Sequence, residues 1–374
     1  MENLTGITYV STEAEKKQFL EFPYQHYAGA PYWIPPLRME QKKLLDQDKN
    51  PFFRNAEMAC FIADRNGQPA GRIAAIIDRR FNEYHGTRTG FFGFFESIDS
   101  QAVTSLLLRV ASDWLRERGM ETLLGPASPG MMDEIGVLTE GFDRYPSIMM
   151  PYSKPYYDKQ LKDAGLEKAM DMYAYEVDQQ SVNRERMRRA SDIVRRRNPN
   201  LVVRELNLRK IDDEIKIIRR IYNEAWKENW GFIPLTEAEM EALAADLKTI
   251  ADTSVAHIAE INGKAVAFSV ALPDYNQVFR RMNGSLFPTG ILKLLWYRRK
   301  VDRIRTALMG VLPEYRGRGI DALLHQKAID NKVGYVASEL SWILESNPEM
   351  IRVAERIGAT RTKTYRMYTM GLEG

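Results

Sequence analysis

The chain has a single cysteine, Cys60, so no internal disulfide can form, which fits a reducing compartment. Its setting, the apolar run Ala59-Cys-Phe-Ile-Ala63, marks a buried structural thiol rather than a nucleophile. Histidine is scarce: four residues, at 26, 85, 257 and 325, show no ligand-like clustering, which argues against a zinc site or any other metal. Neither sign of charge is in real excess. Fifty-three Lys and Arg against 50 Asp and Glu leave +3, too slight to imply a nucleic-acid partner. No apolar stretch approaches the roughly 20 residues that cross a bilayer, and the polar, acidic N-terminus carries no secretory signal. The expectation is a cytoplasmic protein without integral membrane association.

What remains is an ordinary globular composition spread over 374 residues, long for one core and comfortable for two. The chain repeats itself. Ala59–Ala63 and Ala70–Ile77 flank Asn66-Gly67 as a hairpin, a strand follows over Thr89–Phe95, then an amphipathic helix from Gln101 to Arg118, then a strand at Thr122–Leu124. The second half runs Val255–Ile261 and Lys264–Leu272 around Asn262-Gly263, a strand over Arg303–Leu312, a helix closed by Gly334, and a strand over Val336–Leu344. Gly93 to Gly119 spans 26 residues and Gly310 to Gly334 spans 24, so the spacing repeats with the order. This predicts two copies of one α/β unit, domains 1–178 and 179–374, meeting near 178–197. Before the first hairpin, Thr12–Phe22 reads as a helix that stops at Pro23, and Met39–Leu45 as a shorter one.

The copies differ where the chemistry would be. In the second, Arg316-Gly-Arg-Gly-Ile320 joins strand to helix, and Gly317 and Gly319 let successive amides converge at the helix start, a seat for a phosphate group. It is neither a Walker loop nor a dinucleotide fingerprint, because no Gly-Lys-Ser/Thr follows and Pro313, Glu314 and Tyr315 separate strand from glycines. In the first copy the matching stretch is Phe95-Glu-Ser-Ile-Asp99, with two carboxylates and no glycine, so one seat per chain is expected.

The stretch Val311-x-Pro-Glu-Tyr-Arg-Gly-Arg-Gly-Ile320 resembles the acyl-coenzyme A signature of the GNAT superfamily of N-acyltransferases, Arg/Gln-x-x-Gly-x-Gly/Ala. Position 321, Asp here, departs from it and reads as turned aside to cap or pair locally. The resemblance implies an α/β protein of two tandem GNAT-like domains, each a mixed, mainly antiparallel twisted sheet flanked by helices. The first would be a degenerate scaffold. The second would bind acetyl-coenzyme A or another acyl-coenzyme A between the strands at 307–312 and 336–344. By the same resemblance, the amides of Arg316, Gly317, Arg318, Gly319 and Ile320 hold the pyrophosphate, Met309, Gly310 and Val311 offer an edge to pantetheine, and Asn347 contacts the coenzyme. The Val311 amide would polarise the thioester carbonyl, freed by a bulge at Gly310.

The implied reaction is N-acyl transfer, most simply N-acetylation, by direct attack of a small-molecule amine or a peptide. Alternatives are aminoacyl or other carrier-dependent transfer, and a non-catalytic ligand-binding scaffold. The acceptor-side base is placed at Glu345, with Glu339 second, since period-two geometry would set Glu339, Ser341, Ile343 and Glu345 on one face. Glu345 and Asn347 also fit as strand-end and N-cap residues before Pro348. The family's tyrosine acid is replaced, because the count from Asn347 lands on Ala354, leaving Tyr365 or Tyr315 as hydroxyls, or an unassisted thiolate. Asp133 and Glu134 lie in a glycine-bounded loop that is either plain surface or part of the acceptor site. An insertion over about 273–300 brings Asp274 and Asn276 and a short basic apolar helix, read as a lid over the acceptor rather than a membrane contact. Seven arginines in 184–197 read as the wet face of a helix.

Overall fold

The computed structural model describes residues 4–180, 182, 184–330 and 334–372. Two compact units emerge, one of Met1–Asp171, Val278–Trp296 and Lys363–Gly374, the other of Met172–Gln277 and Tyr297–Thr362.

The N-terminal unit begins with β1 (Leu4–Tyr9), α1 (Glu13–His26) and α2 (Arg38–Leu45), then the hairpin β2 (Ala56–Arg65) and β3 (Gln68–Asp78). α1 opens on a capping box between Thr12 and Glu15, and it does not stop at Pro23. A helical proline leaves the carbonyl four residues back without its donor. Here that carbonyl, Phe19 O, takes a hydrogen bond from Arg72 Nη1 of β3 at 2.8 Å, so the helix continues to His26.

After α3 (Arg79–His85) come β4 (Thr89–Ser97), α4 (Gln101–Arg116) and β5 (Thr122–Gly125). α4 buries Val103, Leu107, Leu108, Ala111 and Leu115 against the sheet, one stripe at three- and four-residue spacing. The short strands β6 (Ala127–Ser128), β7 (Glu134–Ile135) and β8 (Val137–Glu140) lead to α5 (Tyr157–Asp163) and β9 (Glu167–Asp178). Neighbours run β1-β2-β3-β4-β5, antiparallel except for β4 and β5, which are parallel over Thr89–Phe91 and Thr122–Leu124.

The C-terminal unit adds α6 (Arg184–Arg197), β10 (Leu201–Glu205), α7 (Ile211–Trp226), α8 (Glu237–Ile250), and the hairpin β11 (Ala256–Ile261) and β12 (Lys264–Pro273). The insertion holds α9 (Asn276–Phe279) and α10 (Gly290–Tyr297). β13 (Arg303–Val311), α11 (Ile320–Ile329), β14 (Ala337–Leu344), α12 (Pro348–Arg356) and β15 (Thr360–Gly371) complete the chain. Strand order is β10-β11-β12-β13-β14-β9, with β13 and β14 the parallel pair.

The last strand of each half is exchanged. From Met172 onward β9 pairs with β14 of the C-terminal unit, while β15 from Lys363 onward pairs with β5 and β8 of the N-terminal one. The insertion behaves similarly: Val278–Trp296 belongs to the N-terminal unit, fastened by Arg38, whose amide donates to Gly284 O at 3.0 Å and whose Nη1 donates to Asn283 O at 2.9 Å. Within it, α10 exposes much of its apolar surface.

Candidate active site

β13 and β14 pair only from Arg303↔Ala337 to Thr306↔Leu340. Beyond that point β13 keeps its partner β12 and loses β14, so an open backbone edge faces a splayed gap. Leu312 donates back to Val266, on the β12 side, and strand alternation therefore turns the backbone groups of Met309 and Val311 toward the gap. The expected bulge at Gly310 is absent. Gly310 stands in register opposite Phe268, and the extra residue is Ala307, between the pairs Val270↔Leu308 and Ala271↔Thr306. Gly310 is required for packing instead, because a Cβ there would lie 2.8 Å from the Phe268 ring. The Val311 amide reaches the edge through divergence of β14, not through a bulge.

Past β13, a single 3-10 turn over Pro313–Tyr315 delivers the chain to the glycine loop. Gly317 (φ +71°) and Gly319 (φ +79°, the N-cap of α11) are left-handed, a conformation that costs other residues about 1–2 kcal/mol. The amides from Gly317 to Ala322 make no hydrogen bond among the described residues, and the loop residues 316–318 are exposed. The Arg316 amide does not join them, since it donates to Pro313 O at 3.2 Å. Its guanidinium is also committed: Nη2 donates to Ala225 O at 2.6 Å, at the C-terminal end of α7. Arg318 lies over the Tyr315 ring and donates to Glu314 O. The seat is thus a cluster of free amides at the positive end of a ten-residue helix.

Asp321, half-buried in the first turn of α11, lies four residues before the fully buried His325. Burial pushes the His325 imidazole well below its usual range, and the Asp321 charge partly opposes that shift. Sequence reasoning missed Trp226, whose indole Nε1 donates to Met309 O at 2.8 Å and so braces the exposed edge. The signal was legible: Ile211, Ile215, Ile218, Tyr222 and Ala225 form a helical stripe ending beside it.

Across the gap, β14 departs from simple alternation. Between Leu340↔Tyr175 and Ile343↔Tyr173 it carries one residue more than β9, so the parity flips at Ser341 and Trp342. Leu340 and Ile343 consequently share one core cluster, and the expected common face of Glu339, Ser341, Ile343 and Glu345 is not formed. Glu339, 2% exposed, accepts from Ser341 Oγ at 2.9 Å, while Arg305 Nε donates to that same Oγ at 2.9 Å and Nη2 to Ser341 O at 3.1 Å. This buried chain pins the irregular stretch. Glu345 sits just beyond β14, half-buried, in the turn before Asn347. Asn347 caps α12, its Oδ1 accepting from the Met350 amide at 3.1 Å. Ala354 is wholly buried against Tyr175, Leu340 and Ile343, a position of core packing.

Other expected residues belong to one unit or the other. Tyr365 is wholly buried in the N-terminal unit, paired with Leu138, because β15 is exchanged. Asp133 and Glu134 also belong to that unit, where Asp133 closes a turn by accepting from the Gly130 amide, and Glu134 pairs with Ser128. Asp274 is buried in the C-terminal unit and accepts from the Asn276 amide at 3.3 Å, a turn that occupies both residues.

The N-terminal unit repeats the topology without the seat. Its splay is filled by its own chain: Ser128 Oγ accepts from the Phe94 amide at 2.8 Å, and a Cβ on Gly93 would lie 1.7 Å from Ala127 O. Where the glycine loop would be, Glu96 accepts from Tyr27 and Tyr157 hydroxyls at 2.8 and 2.7 Å, and burial pushes its carboxyl up to about 7. The Cys60 thiol is pushed up to about 12 by burial, which leaves it inert near neutrality. Among the described residues, no group of three or more His, Cys, Asp or Glu could hold a metal ion, and no helix is long and apolar enough to cross a membrane.

A mixed sheet whose parallel pair splays beside a free-amide loop defines an acyl-coenzyme A-dependent transferase fold, built twice in tandem. The model of the acetyltransferase (GNAT) family matches residues 215–359. The chain is 38% identical to the bacterial ceramide synthase of Caulobacter vibrioides, over 97% of this chain and 96% of that protein. It is also 38% identical to protein YghO of Escherichia coli, over 94% and 92% respectively. A tandem GNAT protein from the clavulanic acid biosynthesis pathway superposes with a TM-score of 0.58 over 99% of both chains at 11% identity, a likeness of fold. The chain belongs to the GNAT superfamily of acyltransferases, in its tandem form.

Proposed function

We propose that this protein N-acylates a long-chain amino alcohol of the sphingoid type, taking the acyl group from a coenzyme A thioester and forming a ceramide. The supporting observation is the 38% identity, running nearly end to end, to a protein called bacterial ceramide synthase, joined to a single amide seat on the C-terminal unit. The free amides from Gly317 to Ile320 bind the coenzyme pyrophosphate, and the edge at Met309 and Val311 aligns the pantetheine. The acceptor nitrogen attacks the thioester carbon, a C–N bond forms, the C–S bond breaks and the coenzyme leaves as thiolate. The Val311 amide, turned into the gap, stabilises the oxyanion. Glu345 accepts the ammonium proton through water, since Glu339 is held by Ser341.

The test is direct. Purified protein is incubated with a sphingoid base and either acetyl-coenzyme A or a long-chain acyl-coenzyme A, and N-acylated product is followed by mass spectrometry against spermidine and lysine as acceptors. Product on the sphingoid base is expected; turnover confined to the polar amines would overturn the reading.

A further inference from the structure

The insertion carries a surface to which the reaction proposed above assigns no role. In α10 the apolar residues Ile291, Leu292, Leu295 and Trp296 fall within an arc of about 140° at 100° per residue. That arc faces outward: Leu292 is 66% exposed, Leu295 51% and Trp296 70%, with Phe287 just before the helix at 67%. Lys293, Leu294 and Tyr297 are the half-buried residues on the other side, and Lys293 Nζ donates to Arg281 O at 2.8 Å. An ordinary surface helix has the reverse arrangement. Nor is the segment loosely attached. Arg38 holds it at Asn283 and Gly284, and Gly284 is left-handed where a Cβ would lie 2.7 Å from both Pro36 O and the Tyr24 ring. The apolar face is therefore held out by a fixed base.

Charge selects the partner. From 278 to 300 the sequence contains Arg280, Arg281, Lys293, Arg298, Arg299 and Lys300 and no Asp or Glu. An exposed apolar patch rimmed by one sign of charge marks an interaction surface. Cationic side chains beside Trp, Phe and Leu match the boundary of an anionic bilayer, where headgroups take the charge and acyl chains take the rings. We infer that Phe287 and the outer face of α10 are a peripheral docking site for an anionic phospholipid membrane. The protein lies on that surface without crossing it. The inference rests on the proposed function only in its purpose, which is to bring the enzyme to a membrane-borne acceptor. Vesicle binding is measured without turnover, so either can fail alone.

The full-length protein is mixed with vesicles of phosphatidylglycerol and phosphatidylethanolamine, or of phosphatidylcholine alone, and floated on a density gradient. Binding to the anionic vesicles is expected to be at least tenfold the stronger and to fall with added salt. Leu292→Glu combined with Trp296→Glu should reduce it at least tenfold, as should Arg298→Ala, Arg299→Ala and Lys300→Ala together. Coenzyme A binding of both variants should stay at the wild-type value, which also reports that they are folded. Equal binding to both vesicle types, or retention in the Leu292/Trp296 variant, overturns the inference. So does a wild-type dimer that this variant converts to monomer in light scattering while no vesicles are bound, since the face then belongs to a second copy of the chain.

Discussion

Replacing Gly317 by alanine isolates the backbone conformation of the coenzyme seat. Gly317 has φ +71° and nothing within 4 Å of the position its Cβ would take, so the substitution creates no clash. What it adds is the left-handed penalty, about 1–2 kcal/mol, enough to favour a relaxed loop in which the amides no longer converge. Each lost bond to a charged phosphate oxygen is worth about 1.5–3 kcal/mol, so losing one weakens coenzyme A binding roughly ten- to a hundredfold. Gly263 supplies a matched control. It has φ +74°, equally open space, and sits in the hairpin turn between β11 and β12 of the same unit. Gly263→Ala should lower stability by the same amount and leave affinity alone. The assay is calorimetric titration of coenzyme A into both variants, with thermal melts in parallel. If the two variants bind equally, whether both weak or both tight, the reasoning about the seat is refuted. Gly319→Val is a poorer probe, because its Cβ would also lie 2.6 Å from Val194 Cγ2.

Asp321→Ala should leave acyl-coenzyme A affinity unchanged or improved, since a like charge near the pyrophosphate disappears; a tenfold loss by titration would show the carboxylate organising the seat. Glu345→Gln should lower kcat/KM about 10²- to 10⁴-fold with coenzyme binding intact and the acidic limb of the pH profile altered, and wild-type turnover would remove Glu345 from the reaction. Burial depresses His26 and His257 to about 4 and His325 in the same direction, so the unfolded chain binds more protons between about pH 6.5 and 4. Stability should therefore fall on acidification through that window, by up to about 1.4 kcal/mol per pH unit for each histidine, opposed by Glu96, whose raised carboxyl favours the folded state at low pH. Urea midpoints at pH 7 and pH 5 check the sign. Arg72→Met should cost about 1–3 kcal/mol in the same assay, because Phe19 O is left without a donor at Pro23.

The sequence by itself determined what depends on neighbouring residues. The two Asn-Gly hairpins, the α4 stripe and the glycine loop before α11 were all legible, because turn chemistry and helical period act over a few positions. Even the missing seat in the first half could be read from Phe95-Glu-Ser-Ile-Asp99. Tertiary structure alone decided the rest. Whether α1 survives Pro23 depends on Arg72, which lies 53 residues from the carbonyl it satisfies. Whether Glu339 and Ile343 share a face depends on one extra residue in β14, a quantity defined only against its partner β9. The Val311 amide opens onto the gap because β14 diverges, and Tyr365 is buried within the N-terminal unit because β15 pairs with β5 and β8. The outward apolar face of α10 follows from a brace at Arg38, some 250 residues earlier in the chain. Periodicity records which residues prefer burial; only the packed partner fixes which surface they are buried against.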